Sequence, residues 1–162
     1  MGGPTVQRDG RYSTAWMIRR PQVNLDTQAE LSVIVYSGRN IGSPSAETAY
    51  QGTNGGLPMF TVGSTEVLIN YTAMGLPVPK IRKGGWILDG TMLNVQGKPE
   101  PHGFFYRVIG VTDLGGILSL ELQQPARFSS GINNQYAVAV FMDNVVEVFE
   151  RKTLSPNIAP GQ

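Results

Sequence analysis

The chain contains no cysteine and only one histidine in 162 residues. The first absence removes disulfides, thiolate nucleophiles and cysteine metal sites together, and it fits a reducing compartment. With one imidazole, a zinc site would have to draw most of its ligands from carboxylates. Charge is also scarce, at 15% of residues where about 25% is usual. A surface so poor in mixed charge is a liability for a free monomer and less of one for a subunit covered by neighbours. The formal net charge of +1 provides no global field to steer the protein to nucleic acid. No run approaches the roughly 18 to 20 apolar residues of a membrane span. The opening "MGGPTVQRDGRYS" lacks the apolar core of a signal peptide. Val6 stands where a myristoylation motif has Ser or Thr. These absences lead to the expectation of a protein that is soluble, unanchored and intracellular at synthesis.

What is present is β-sequence punctuated by Gly and Pro. The hydrophobic fraction of 41% is enough for one buried core. "TAWMIRR" (14–20) and "AELSVIVYS" (29–37) read as strands, the second rich in β-branched and aromatic residues. A short strand is expected at "MFTV" (59–62). Three pairs of apolar runs flank turn signals: Asp89-Gly90, "DLGG" at 113–116, and Asp143-Asn144. In "ILSLELQ" (117–123), Leu118, Leu120 and Leu122 alternate with polar residues, an inside/outside pattern. Three successive hairpins would make a meander of about six strands, rolled or closed to hide its edges. One helix is expected over about 64–74. Ser64 would cap it, Glu66 would sit in its first turn, and Val67, Leu68, Tyr71 and Met74 would form its apolar stripe. Gly75 would supply its left-handed end. The fold class expected is therefore mainly β: a small antiparallel barrel or rolled meander with one short helix. Its organisation would be an N-terminal arm (1–13), a barrel domain (14–150) with a long loop at 38–58, and a C-terminal arm (151–162). Structureless loops of that length are uncommon inside compact domains and are usually functional or disordered.

Chemistry is harder to find. His102 lies among Pro and Gly in "KPEPHGFF", which predicts a solvated loop histidine. Glu100 is near, but no nucleophile accompanies it. Asp89, Asp113 and Asp143 occupy turn positions that turn geometry already favours, and they would form a hard-cation site only if all three turns met at one end. Glu121, Glu147 and Glu150 fall at outward phases of strands and read as solvated rather than as a glycosidase pair. "GSPSAET" lacks the context of a nucleophile elbow, and "GRNIGS" and "GTNGG" lack the ending of a phosphate loop. The expectation is no catalytic residue, no metal and no cofactor. Basic residues cluster twice: Arg8, Arg11, Arg19 and Arg20 near the N-terminus, and Lys80, Arg82 and Lys83 in "PKIRKGGW". Arg19, Arg20, Lys80, Arg82 and Lys83 are candidates for facing DNA, in a sequence-blind and salt-sensitive way, or an acidic partner surface. Candidate subunit-interface residues in the arms and loop are Arg8, Arg11, Tyr12, Arg39, Tyr50, Asn54, Leu154 and Ile158.

Over residues 84–150 the chain resembles the small barrel proteins of tailed-bacteriophage necks, the head-completion or stopper proteins. The residues that carry the resemblance are Gly85-Trp86-Ile87, Tyr106-Arg107-Val108 and Leu120-Glu121-Leu122. It implies a virion structural protein, a head–tail connector subunit in a homo-oligomeric ring of six or twelve copies. Portal or adaptor and tail proteins would be its partners, and passing DNA would lie inside. It implies location in the virion and, during assembly, in the host cytoplasm. A tail terminator, decoration protein or baseplate component would suit the same barrel with arms. A nucleic-acid-binding barrel is the reading from another class, and a carbohydrate-active accessory barrel is the enzymatic one.

Overall fold

A computed structural model describes residues 11–19, 29–39, 47–52, 59–95, 98–130 and 137–154. They form eleven strands: β1 (Tyr12–Arg19), β2 (Ala29–Ser37), β3 (Glu47–Gln51), β4 (Glu66–Ile69), β5 (Trp86–Asp89), β6 (Met92–Val95), β7 (Lys98–Pro101), β8 (Phe104–Asp113), β9 (Leu118–Leu122), β10 (Val138–Met142) and β11 (Val145–Leu154). The protein is mainly β, and its largest sheet is a curled half-barrel of six strands in the order β3-β10-β5-β8-β9-β4. A second sheet has three strands, β1-β2-β11, and β6 pairs with β7 in a third. Every recorded pairing is antiparallel.

The two larger sheets form layers, and the sequence of β8 shows why. Phe104, Phe105 and Tyr106 are consecutive and all buried. In a strand, successive side chains point to opposite faces, so a buried run of three requires cover on both faces. Phe104 and Tyr106 enter the core enclosed by the curled sheet, with Phe60, Val67, Ile69, Ile87 and Leu120. Phe105 points the other way, to Ile34, Tyr36 and Val148 of the three-stranded sheet. Trp86 and Leu88 of β5 join Phe105 on that side, while Ile87 between them faces the first core. Each fully buried apolar side chain contributes about 1.5–3 kcal/mol, so this two-sided strand anchors both layers.

The β8–β9 hairpin forms as its sequence predicts. Asp113 pairs with Leu118, and the carboxylate of Asp113 accepts a hydrogen bond from the Gly115 N–H at 2.9 Å. The register shifts between Val108 and Gly110, and there a Cβ on Gly110 would lie 2.8 Å from Glu121 Oε2. A Cβ there would also lie 3.0 Å from Glu121 Cβ, so the two strands approach closely at the bulge.

The other two expected hairpins are not hairpins. β5 pairs with β8 and β10, not with β6. Trp86↔Arg107, Asp89↔Phe104, Met92↔Pro101 and Val95↔Lys98 share one unbroken offset. Strands β5 and β6 thus run against β7 and β8 as a single long ribbon. Asp89-Gly90, a strong turn signal, lies inside one arm of that ribbon. Its Gly90 N–H donates to Val138 O at 2.9 Å, continuing the ladder toward β10. Asp143-Asn144 does turn, with Asn144 at φ +62°, but β10 and β11 belong to different sheets. The turn carries the chain from one layer to the other.

The helix expected over about 64–74 is absent from the described residues. Residues Glu66–Ile69 form β4, pairing with β9, and Val67 and Ile69 are fully buried. The segment carries two overlapping patterns, a helical stripe and a Val67/Ile69 alternation. Strand β9 presents an edge that only the alternation can cover. Ser64 Oγ accepts from the Glu66 N–H at 3.0 Å, so the capping chemistry is used for a turn instead. Turns follow at 71–75, with Gly75 at φ +63°. No strand forms at 59–62, although Phe60 is buried there. The arm and loop boundaries also move. Tyr12 and Ser13 belong to β1, residues 151–154 to β11, and β3 lies within the expected 38–58 loop.

Candidate functional site

The three-stranded sheet carries an unusual distribution of apolar residues. Its inner face supplies Ala15, Met17, Ile34, Tyr36 and Val148 to the interlayer core. The alternate positions face outward. Trp16 is opposite Val33, and Val33 is opposite Phe149, giving one apolar row across all three strands. Ile18 opposite Leu31 and Thr14 opposite Val35 flank that row. Exposure is high along it: Trp16 is 72% exposed, Ile18 66% and Phe149 57%. Antiparallel sheets with one solvated face ordinarily alternate apolar-in and polar-out. This sheet carries an apolar row on its outer side as well, flanked by the register positions of Glu147, opposite Val35, and Arg151, opposite Leu31, and exposed apolar groupings of this kind mark interaction sites. The alternation is regular, eight residues of β1 running between half-buried and exposed without a break.

Among the described residues β1 and β11 each pair on one side only. Among those residues both edges of the sheet lack a partner strand, and such edges template pairing with another segment.

A second feature lies where the long ribbon leaves the half-barrel. Asp89 and His102 are both buried, with Asp89 Oδ2 2.7 Å from His102 Nδ1. Asp89 Oδ1 accepts from the Thr91 N–H at 3.0 Å. The backbone crosses this corner through Gly103 N–H to Asp89 O at 2.9 Å and His102 N–H to Thr91 O at 2.8 Å. Gly103 has φ +65°, and a Cβ there would meet Arg19 Cδ at 3.1 Å. The His102 ring packs tilted against Phe128 at 5.1 Å, and Phe128 stacks on Phe104 at 5.5 Å. His102 is thus not the solvated loop residue its Pro/Gly surroundings suggest. It pins a bend, and the missed signal is its spacing from Asp89, since the ribbon register places residues 89 and 102 near one another.

A pocket of about 430 Å³ opens where the layers meet, lined by Lys80, Arg82, Trp86, Asp143 and Asn144 among others. It gathers two of the basic candidates with an acid. Lys83 is exposed beside them. Arg107 lies over Trp86 at 5.8 Å and 3.7 Å from Glu147.

The remaining candidates scatter. Arg19 points inward, paired with Glu30 and 4.0 Å over the Phe104 ring, so it is a packing residue and not a DNA-facing one. Tyr50 is a core residue, 2% exposed, whose hydroxyl donates to Pro77 O at 2.8 Å; it is not an interface contact. Arg39 pairs with Glu47 and covers the Tyr36 ring at 4.3 Å. Arg11 and Tyr12 are exposed at the start of β1. Leu154 is opposite Ala29 at the end of β11. Arg8, Arg20, Asn54 and Ile158 lie outside the described residues. Of the acids, Asp113 and Asp143 are exposed, Asp89 is buried, and Glu150 is held by Arg127 at 3.2 Å. No group of three or more His, Asp or Glu that could hold a metal occurs among the described residues. Trp16, Ile18 and Phe149 were missed because strand alternation alone does not say which phase is outside. The chain matches no family model, no curated protein and no solved structure.

Proposed function

We propose that the chain is a structural subunit of a self-assembling ring, and that the ring is the head–tail connector of a tailed-bacteriophage virion, joining portal or adaptor to tail. The observation that carries the structural reading is the apolar outer face of the β1-β2-β11 sheet. A chain with only 15% charged residues that exposes Trp16, Ile18 and Phe149 together is suited to burial in an assembly. The neck assignment rests on the resemblance over residues 84–150, and a tail terminator, decoration or baseplate barrel is its alternative. The work of such a subunit is docking, so no residue is assigned a catalytic role. Light scattering and negative-stain microscopy of concentrated protein test the reading. Closed rings support it, and a protein monomeric at every concentration sinks it.

A second reading, contact with a nucleic-acid backbone, is favoured by the exposed grouping of Lys80, Arg82 and Lys83. It requires binding that falls steeply as salt rises. A low-salt titration with no binding removes it.

A further inference from the structure

We propose that the outer face of the β1-β2-β11 sheet is closed by the same face of a second copy, about a two-fold axis lying along the row Trp16–Val33–Phe149. This goes beyond the ring reading. A two-fold contact closes at two copies, so a ring would be built through other surfaces.

Charge chooses the partner. From Glu147 to Arg151 the register against β2 runs from Val35 to Leu31 without a shift. Glu147 and Arg151 therefore hold outward register positions two residues to either side of Phe149, each about 7 Å from it along the strand. Turning the face over about the row exchanges those two positions and leaves the row in place. Each Glu147 then stands across from Arg151 of the other copy, twice in one contact. Trp16, Val33 and Phe149 meet their own counterparts. The tilt of about 30° usual between packed sheets leaves the two charges within an arginine's reach. The pattern is its own complement, as an isologous interface requires.

The same two residues fix the axis. A two-fold along the strands would also lay face on face, but it sets Glu147 over Thr14 and Arg151 over Ile18. Both charges would then be covered without a partner, which is strongly unfavourable. Glu147 has room for the new partner. Within its own chain it lies 3.7 Å from Arg107, a long contact between side chains 37% and 40% exposed, and such surface pairs hold weakly.

Area agrees with a partner of equal size. On this face Tyr12, Trp16 and Phe149 are 62%, 72% and 57% exposed. Aromatic side chains bury about 150–250 Å² each, so these three offer roughly 300–480 Å². Ile18 and the half-buried Leu31, Val33 and Val35 widen the patch. Stable interfaces bury about 600–1,000 Å² per partner. The contact sits at the small end of that range, so pairing depends on concentration.

Charge reversal is the test. Glu147→Arg and Arg151→Glu are made singly and together, and sedimentation is followed over a range of concentrations, with thermal unfolding as the check on folding. Each single reversal should raise the dimer dissociation constant about tenfold or more, because it sets like charges across the contact twice. The double reversal should return it to within about threefold of the original. Losses that simply add in the double variant would overturn the proposal, and so would single reversals without effect. Trp16→Lys should weaken pairing at least as much, and unchanged pairing would also overturn it. Rings indifferent to all four variants would sink this contact and leave the ring reading standing. Reversal-sensitive dimers that never grow larger would support the contact and remove the ring. Monomers at every concentration would remove both. A monomer destabilised by Trp16→Lys would then assign the face to another segment of this chain, and one left stable would assign it to a different protein.

Discussion

The half-barrel and the three-stranded sheet are built from the same kind of strand, yet they solve burial differently. In the half-barrel, β5 and β8 are apolar on both faces, and the chain covers both: one face lines the enclosed core, the other meets the three-stranded sheet. In the three-stranded sheet, β1 and β2 are also apolar on both faces, but one face stays open. The difference teaches that two-sided hydrophobicity in a strand announces two layers of cover without saying whose chain supplies the second. For β8 it is this chain. For β1 no segment among the described residues supplies it.

That contrast can be broken at its most buried point. Asp89→Ala leaves His102 without its carboxylate at the ribbon bend. Removing one member of a buried pair costs about 3–5 kcal/mol, so thermal or denaturant unfolding should show a large loss. A loss under about 1 kcal/mol would mean the bend holds without the pair.

Phe105→Ala tests the seam between the layers. It removes the aromatic that β8 sends to Ile34, Tyr36 and Val148, and buried Phe→Ala changes cost about 3–5 kcal/mol. Hydrogen exchange should rise first in β1, β2 and β11. Uniform exchange across both sheets would show that the layers unfold as one.

Tyr106 reports on the enclosed core through pH. Burial pushes its hydroxyl up to about 12, opposed by the Arg127 N–H it accepts at 2.9 Å. The unfolded chain ionises this group near 10, so its contribution is complete below that pH and is lost as pH rises from about 10 to about 12. Tyr106→Phe should flatten that decline and cost about 1 kcal/mol at neutral pH by removing the hydrogen bond from the Arg127 N–H. An unchanged alkaline profile in the variant would assign the decline to another group.

The smallest effect on folding belongs to the open face. Trp16→Lys, at a side chain 72% exposed, should change monomer stability by no more than about 0.5 kcal/mol while weakening assembly. A large loss of monomer stability would mean that Trp16 is covered by its own chain. The four results together map cover from complete to absent.

Much of the β-structure was legible in the sequence. Strand β2 and the β8–β9 hairpin follow from local alternation and a Gly-rich loop, because both partners lie within a few residues of the turn. Asp89-Gly90 misled for a physical reason. Its turn propensity of a fraction of a kcal/mol lost to a buried hydrogen bond with His102 and a ladder bond to Val138. The helix at 64–74 lost similarly, to the unpaired edge of β9. The candidate site was the least legible part. Tyr50 and Arg19 look like surface residues in sequence and prove to be packing ones. Trp16 and Phe149 look like core residues and are open to solvent.

By itself the sequence determined that this is a β protein, poor in charge, with neither disulfides nor thiolate chemistry. Those properties follow from composition and from contacts between near neighbours. Which strands became partners, which face of β1 turned outward and where Asp89 met His102 were decided only by tertiary structure. Each depends on residues far apart in the chain competing for the same edge or the same buried space, and no local pattern records the winner.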